Sequence, residues 1–433
     1  MTSQKTVGFR FPTWLKVALF GLPLTHAPTI DMPFRWRISE IVAWIMAPAV
    51  LFSSWRFRNF TTRIFVLAMT AYVLYTAVLG VAMAWFVPIK VPAALEGTFS
   101  PVFRTLLESA RLIGSLVMVK AVCRYVSASE NFERIVRAII AGGIFLFCYT
   151  VYEILVLYLG LGLPLLPGSR SIPGFPVAAT MYEPSSAGSY GAATALLSTS
   201  LLTGRRGKVM GVIGLIAGIL SVILTTSRTG VASFAIGTIA LVLLVALKGR
   251  LGAARMISVG VVSGLAVWGG VVLGQHWLGK MFYNRFNLYS VQYYMGVRSE
   301  EIYLRLIPDL LDWPLGLGQG LWLFLVGGGA SAPRLVVEGG FIGLLFMSVM
   351  LVALLDGVRQ CVVLSRKGLL EIDGVIAAVV ATIVGLYNYV NVSDAWIWVI
   401  LSLPIAALEI GRQRISKTVI WTRGRDIEGV TAH

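Results

Sequence analysis

The 433-residue chain is 57% hydrophobic and only 13% charged, with a mean hydropathy of +0.82. A soluble domain carries about 25% charged residues, so this composition excludes a chain that covers its surface in water. Its apolar runs, about 18–25 residues long and without period-2 alternation, read as spanning helices rather than barrel strands.

The spans are expected in this order: Thr13–Thr25, Ile38–Ser54, Ile64–Phe86, Phe103–Val122, Val136–Leu161, Pro184–Leu202, Val209–Thr226, Gly230–Leu247, Met256–Gly274, Leu335–Leu355, Gly374–Tyr389 and Ala395–Ile410. About twelve spans put both termini on one side. The termini and the loops on their side hold 24 of the 36 lysines and arginines, at least three in each segment. The positive-inside rule makes that side cytoplasmic. The formal charge of +16 is therefore mostly a topology signal, and no nucleic-acid partner is expected. No cleaved signal peptide is expected either, because the first apolar stretch lacks a small-residue cleavage site. Cys123, Cys148 and Cys361 offer no disulfide framework.

The remaining basic residues face the other way, except Arg111, which falls inside the fourth span. Five of them lie in His276–Arg334, the longest connection in the chain. Arg298, Ile302, Arg305, Leu306 and Leu310 repeat at helical spacing there, and the glycine-rich stretch Pro314–Gly320 stops the pattern. This segment is expected to be an ordered, helical external cap between spans nine and ten, within one integral-membrane domain covering residues 1–433.

Several charged groups on that side are candidates for chemistry. Arg228 sits in Thr225-Thr-Ser-Arg-Thr-Gly230, a tight turn between two spans, where the free N–H groups of the next helix point at the same place. Arginine plus a helix N-terminus suits an anion; the alternative is an arginine that snorkels to the headgroups. Arg298 opens the cap helix, and Arg285 and Arg305 add positive charge near it; they either bind an anion or pair with local carboxylates. Arg104, Glu108 and Arg111 share one helix face and line an interior groove or form an internal salt bridge. Glu183, before Pro184, is a general base for a hydroxyl or a helix cap. Glu338 is a second candidate base and Asp394 a weaker one. Histidine is nearly absent, with His26, His276 and His433 far apart, and no metal site or cofactor is expected.

A Ser-Arg-Thr-Gly turn between two spans, a long external loop with Arg298, the Pro314-Leu-Gly-Leu-Gly318 turn, and Glu338-Gly-Gly-Phe-Ile-Gly343 opening the next span resembles the O-antigen polymerase and O-antigen ligase superfamily. The match covers about Thr225 to Leu355. The resemblance implies an all-α polytopic glycosyltransferase of the GT-C kind, in the bacterial inner membrane, with its active site on the periplasmic face. The implied donor and acceptor are undecaprenyl-diphosphate-linked oligosaccharides, joined into exopolysaccharide, capsule or O-antigen. Partners implied are membrane lipid and the flippase and chain-length regulator of the same pathway. Arg228 and Arg298 match the family's diphosphate-binding arginines. The ligases carry a histidine about nine residues before the Glu-Gly motif, where this chain has Gly329; that departure favours a polymerase over a ligase. A transporter or flippase of lipid-linked glycans is the alternative from another class, since many transporters also have twelve spans.

Overall fold

The computed structural model describes residues 12–25, 37–53, 57–87, 100–126, 129–161, 163–165, 177–181, 183–203, 207–248, 304–322, 331–366, 372–388 and 393–410. The described residues form twelve helices: α1 Thr13–Phe20, α2 Ile38–Leu51, α3 Phe60–Phe86, α4 Pro101–Tyr125, α5 Ser129–Leu159, α6 Pro184–Thr203, α7 Lys208–Leu224, α8 Arg228–Ala246, α9 Leu304–Asp312, α10 Ser331–Arg366, α11 Asp373–Asn388 and α12 Ala395–Ile410. No strand occurs among them. The expected ninth span, Met256–Gly274, lies outside the described residues.

By length and composition, α3, Glu130–Leu157 of α5, α8 and Ala332–Arg366 of α10 can each cross a membrane, and α2, α7, α11 and α12 are shorter apolar helices. The regular structure of the described residues is all helical, and the apolar helices mark a membrane-embedded protein. Local signals set several helix starts. Asn59 accepts a hydrogen bond from Thr61 N, Ser100 from Phe103 N with Pro101 in the first turn, and Ser227 from Gly230 N.

The helices pack side by side: α3 against α4 and α10, α6 against α7, α8 and α11, and α5 against α1, α6 and α7. Small residues set the closest approaches. A Cβ on Gly230 of α8 would stand 2.7 Å from the Cα of Gly188 on α6, and one on Gly218 of α7 would stand 2.6 Å from Gly191 O. Without water between helices, close backbone contact of this kind holds membrane bundles together.

Every residue of α12 is buried. It is apolar on all sides, as a helix enclosed by others must be. Thr62 of α3 donates to Ile405 O, Cys361 of α10 contacts Pro404 O, and Tyr190 of α6 packs edge-on against Trp396 with ring centroids 5.5 Å apart. The starts of α2, α4, α6, α8, α10 and α12 gather at one end of the bundle, termed the Arg37 end. At the opposite end Lys120 donates to Leu51 O and Ser53 O at 2.9 and 3.2 Å, holding the finish of α2. Glu409 there accepts from Arg58 N and Asn59 N, and Lys248 bridges Asp373 and Ser365.

Candidate functional site at the Arg37 end

The sequence placed Arg104, Glu108 and Arg111 on one face of a helix, and α4 presents them so. Glu108 is fully buried and is the hub of a larger network. Arg104 and Arg111 each reach its Oε1 at 3.0 Å, Arg334 of α10 reaches its Oε2 at 3.4 Å, and Ser393 hydrogen-bonds the same oxygen. Arg334 also reaches Glu338, one helical turn on, at 2.9 Å. On the other side Arg111 approaches Glu40 at 3.6 Å, Glu40 pairs with Arg37 at 3.2 Å, and Arg37 pairs with Asp394 at 2.5 Å. The cluster joins four arginines to four carboxylates drawn from four chain segments. Its formal charges cancel, which is the condition for keeping so many ions out of water. Burial alone would lower the pKa of Arg37; the carboxylates of Asp394, Glu40 and Glu108 outweigh it and hold the guanidinium charged.

The glycine-rich stretch after α9 docks into this cluster. Gly316, Gly318 and Gly320 all have positive φ, at 93°, 82° and 86°, a conformation glycine takes without steric cost. The stretch threads between α3 and α10. Leu317 N and Gly318 N donate to Val337 O and Glu338 O, Gln319 N donates to Thr76 O, and Gly320 N donates to the Glu338 carboxylate at 2.8 Å. These bonds matter because α10 is broken at Gly340, with φ 59° and ψ −159°. The break frees carbonyls of the first half of α10, and the glycine stretch satisfies two of them. Phe341 N, at the start of the second half, donates to Pro314 O. The Pro-x-Gly-x-Gly and Glu-Gly motifs of the sequence are thus two sides of one contact.

Gln319 is wholly buried, yet among the described residues neither its Oε1 nor its Nε2 has a hydrogen-bond partner. Thr105 Oγ1 is in the same position, and Thr105 and the Gln319 backbone both crowd the space above Gly80. An unpaired buried amide costs about 1–3 kcal/mol.

A second constellation lies where α6 and α8 cross. Arg228 is the first residue of α8 and is half-buried. Glu183 immediately precedes α6, and its Oε2 accepts from Ser185 Oγ at 3.0 Å. Gly188, just over one turn into α6, packs against Thr225, Ser227 and Gly230, with a Cβ there 2.8 Å from the Ser227 Cβ. The first turns of α6 and α8 therefore meet, with Glu183 preceding one helix and Arg228 opening the other, so two positive helix ends lie at this crossing. Thr226, wholly buried, is held at φ 46° in the turn between α7 and α8. A β-branched residue in the left-handed region is strained, and such strain gathers at functional sites. The hydroxyls of Ser189, Thr226 and Ser233 are buried at this crossing and unpaired among the described residues.

Arg298 and Arg285 lie outside the described residues, and Arg305 stands in the first turn of α9. The cap helix covers Leu304–Asp312, so the expected start near Arg298 also lies outside them. Arg37, Glu40 and Arg334 were not singled out as site residues. The i,i+3 spacing of Arg37 with Glu40 and the i,i+4 spacing of Arg334 with Glu338 are the signals that could have found them. Among the described residues no group of three or more His, Cys, Asp or Glu side chains is arranged to hold a metal ion. Comparison with family models, with curated proteins and with solved structures finds no match to this chain.

Proposed function

We propose that this chain is a GT-C-like glycosyltransferase of about twelve spans. It joins lipid-diphosphate-linked oligosaccharides at the non-cytoplasmic face of the bacterial inner membrane, extending a polysaccharide one repeat unit at a time. The observation that carries the reading is the meeting, through Gly188 and Gly230, of two helix starts, one preceded by Glu183 and the other opened by Arg228. This arrangement supplies the two charges that the reaction needs. An acceptor hydroxyl attacks the anomeric carbon of the donor sugar and passes its proton to the Glu183 carboxylate. The bond from that carbon to the diphosphate oxygen breaks, and the lipid diphosphate leaves with the electron pair. Arg228 and the start of α8 stabilise the negative charge that grows on it, with Arg298 as the second arginine. A direct displacement of this kind inverts the anomeric centre.

A deletion strain tests the reading. Loss of the protein is expected to leave single lipid-linked repeat units on the outer face, and Arg228→Ala is expected to reproduce this while the protein remains in the membrane. Accumulation of full-length lipid-linked polymer would instead identify a ligase. The second reading, a carrier of lipid-linked glycans, is favoured by the break in α10 beside buried charges, a feature of transporter substrate sites. In that case neither units nor polymer would reach the outer face.

A further inference from the structure

The long connection before α10 was expected to be an ordered external cap. The surface of α9 adds where that cap rests. Ile307 and Leu311, four apart on α9, share one face, and Leu315 follows in the turn after the helix; they are 67%, 65% and 59% exposed. The opposite side of the segment is already occupied. Leu306 and Trp313 pack on Leu317, Leu321, Trp322 and Val337, together with Met83 and Ala84 at the end of α3. The exposed side is therefore a second apolar face.

Its level along the bundle identifies what covers it. Trp85 and Phe86, exposed at the end of α3, are the kind of aromatic pair that marks a membrane interface. Gln319 N bonds Thr76 O, and Gly318 meets Gly80, so the glycine stretch lies roughly 9–15 Å below the end of α3 at 1.5 Å per residue. Tyr75 donates to Leu315 O at 2.6 Å, fixing Leu315 beside the exposed flanks of both long apolar helices: Leu74 and Val78 on α3, and Phe341, Ile342 and Leu345 on α10. The apolar face of α9 thus leads through Leu315 to the exposed apolar flanks of two helices long and apolar enough to cross a membrane. Irregular backbone at such depth is tolerated only when its polar groups are satisfied by protein, and the bonds of Leu317, Gly318, Gln319 and Gly320 meet that condition.

We infer that α9 is an interfacial helix lying on the bilayer, with Ile307, Leu311 and Leu315 among the acyl chains and Asp312 in the headgroup layer, and that the glycine stretch after it dips below the headgroups. Asp312 is exposed next to Leu311 but points about 100° away around the helix. Neighbouring positions therefore face opposite media. This inference rests on the membrane-embedded fold and is independent of the proposed reaction.

The test places a spin label at Leu311→Cys, and separately at Ile307→Cys and Asp312→Cys. The host is the full chain with exposed Cys148 changed to Ser; Cys123 and Cys361 are buried. The protein is reconstituted in vesicles of phosphatidylethanolamine and phosphatidylglycerol. Labels at 307 and 311 are expected to be relaxed several-fold more by oxygen, which concentrates in lipid, than by a water-soluble nickel chelate. The label at 312 is expected to show the reverse. Chelate access at all three sites would mean an aqueous cap, oxygen access at all three a fully embedded helix, and protection from both at 307 and 311 a protein partner. Each of these three results overturns the inference.

Discussion

Gly316 and Gly340 meet backbone to backbone: a Cβ on Gly316 would stand 2.6 Å from the amide nitrogen of Gly340, and one on Gly340 would collide with Gly316 N. Both have positive φ. Neither position has room or backbone freedom for a side chain. Gly340→Ala and Gly316→Ala are each expected to destabilise the protein by more than about 2 kcal/mol, the left-handed penalty of about 1–2 kcal/mol plus the collision. Gly114→Ala is the control. The nearest atom to a Cβ there is 3.8 Å away on Trp44, and a mid-helix alanine is worth roughly 0.5–1 kcal/mol over glycine. Thermal melts of the detergent-purified variants should separate the two groups in opposite directions.

Glu108 is the carboxylate that three arginines share. Glu108→Gln removes the charge and leaves Arg104, Arg111 and Arg334 facing each other at the Arg37 end. Breaking a buried ion pair costs about 3–5 kcal/mol, and the variant should show a matching fall in melting temperature and steady-state level. Arg104→Ala should cost less, because Arg104 is 23% exposed where Glu108 is fully buried. Adding Arg334→Met to Glu108→Gln should recover part of the loss; a strictly additive double variant would show that the two residues do not act together.

Gln319 separates stability from function. Its amide is buried without a partner among the described residues, so Gln319→Leu, similar in volume, should leave the melting temperature unchanged or raise it. If the unpaired amide serves a hydroxyl of the substrate, product formation by the same variant should fall at least tenfold. Unchanged product from a stabilised Gln319→Leu would show that the amide serves no substrate group.

The start of α8 can be loosened without touching its arginine. Ser227 Oγ accepts from Gly230 N at 3.0 Å. Ser227→Ala should cost about 1 kcal/mol and Ser227→Gly only a few tenths. If the position of Arg228 governs the reaction, product formation should fall in the same order while the amount of protein in the membrane stays level.

Much of the fold was legible because lipid imposes a simple rule on apolar runs. The starts of α4, α6, α7 and α8 came within about two residues of the expected spans, a margin set by the fraying of helix ends. The enclosure of α12 was not legible, since lipid and packed side chains ask the same composition of a helix. The break in α10 was signalled only by the pair Gly339–Gly340, and nothing local says that Pro314–Gly320 would fill it. At the Arg37 end the i,i+3 and i,i+4 contacts within α4 could be read from spacing. Those joining Arg37 to Asp394 or Arg334 to Glu108 could not, because they depend on which helices become neighbours. The turn at Arg228 and its nearness to Glu183 lay between these cases: each residue stood out by its place at a helix start, and only the Gly188–Gly230 crossing joins them.

The distance in sequence between Arg37 and its partners has a consequence for the order of assembly. Arg37 donates to Ser393 O across 356 residues and pairs with Asp394 beside it. At a synthesis rate of about 5–20 residues per second, Arg37 waits roughly 20–70 s for these groups to leave the ribosome. Throughout that interval the bundle lacks its central helix and α2 holds a cation without its principal counter-ion. The last described helix to be made therefore closes the structure, like a keystone set after the arch. A ribosome that stops before Ser393 leaves behind a chain in which Arg37 has Glu40 for a partner but neither the Ser393 carbonyl nor Asp394.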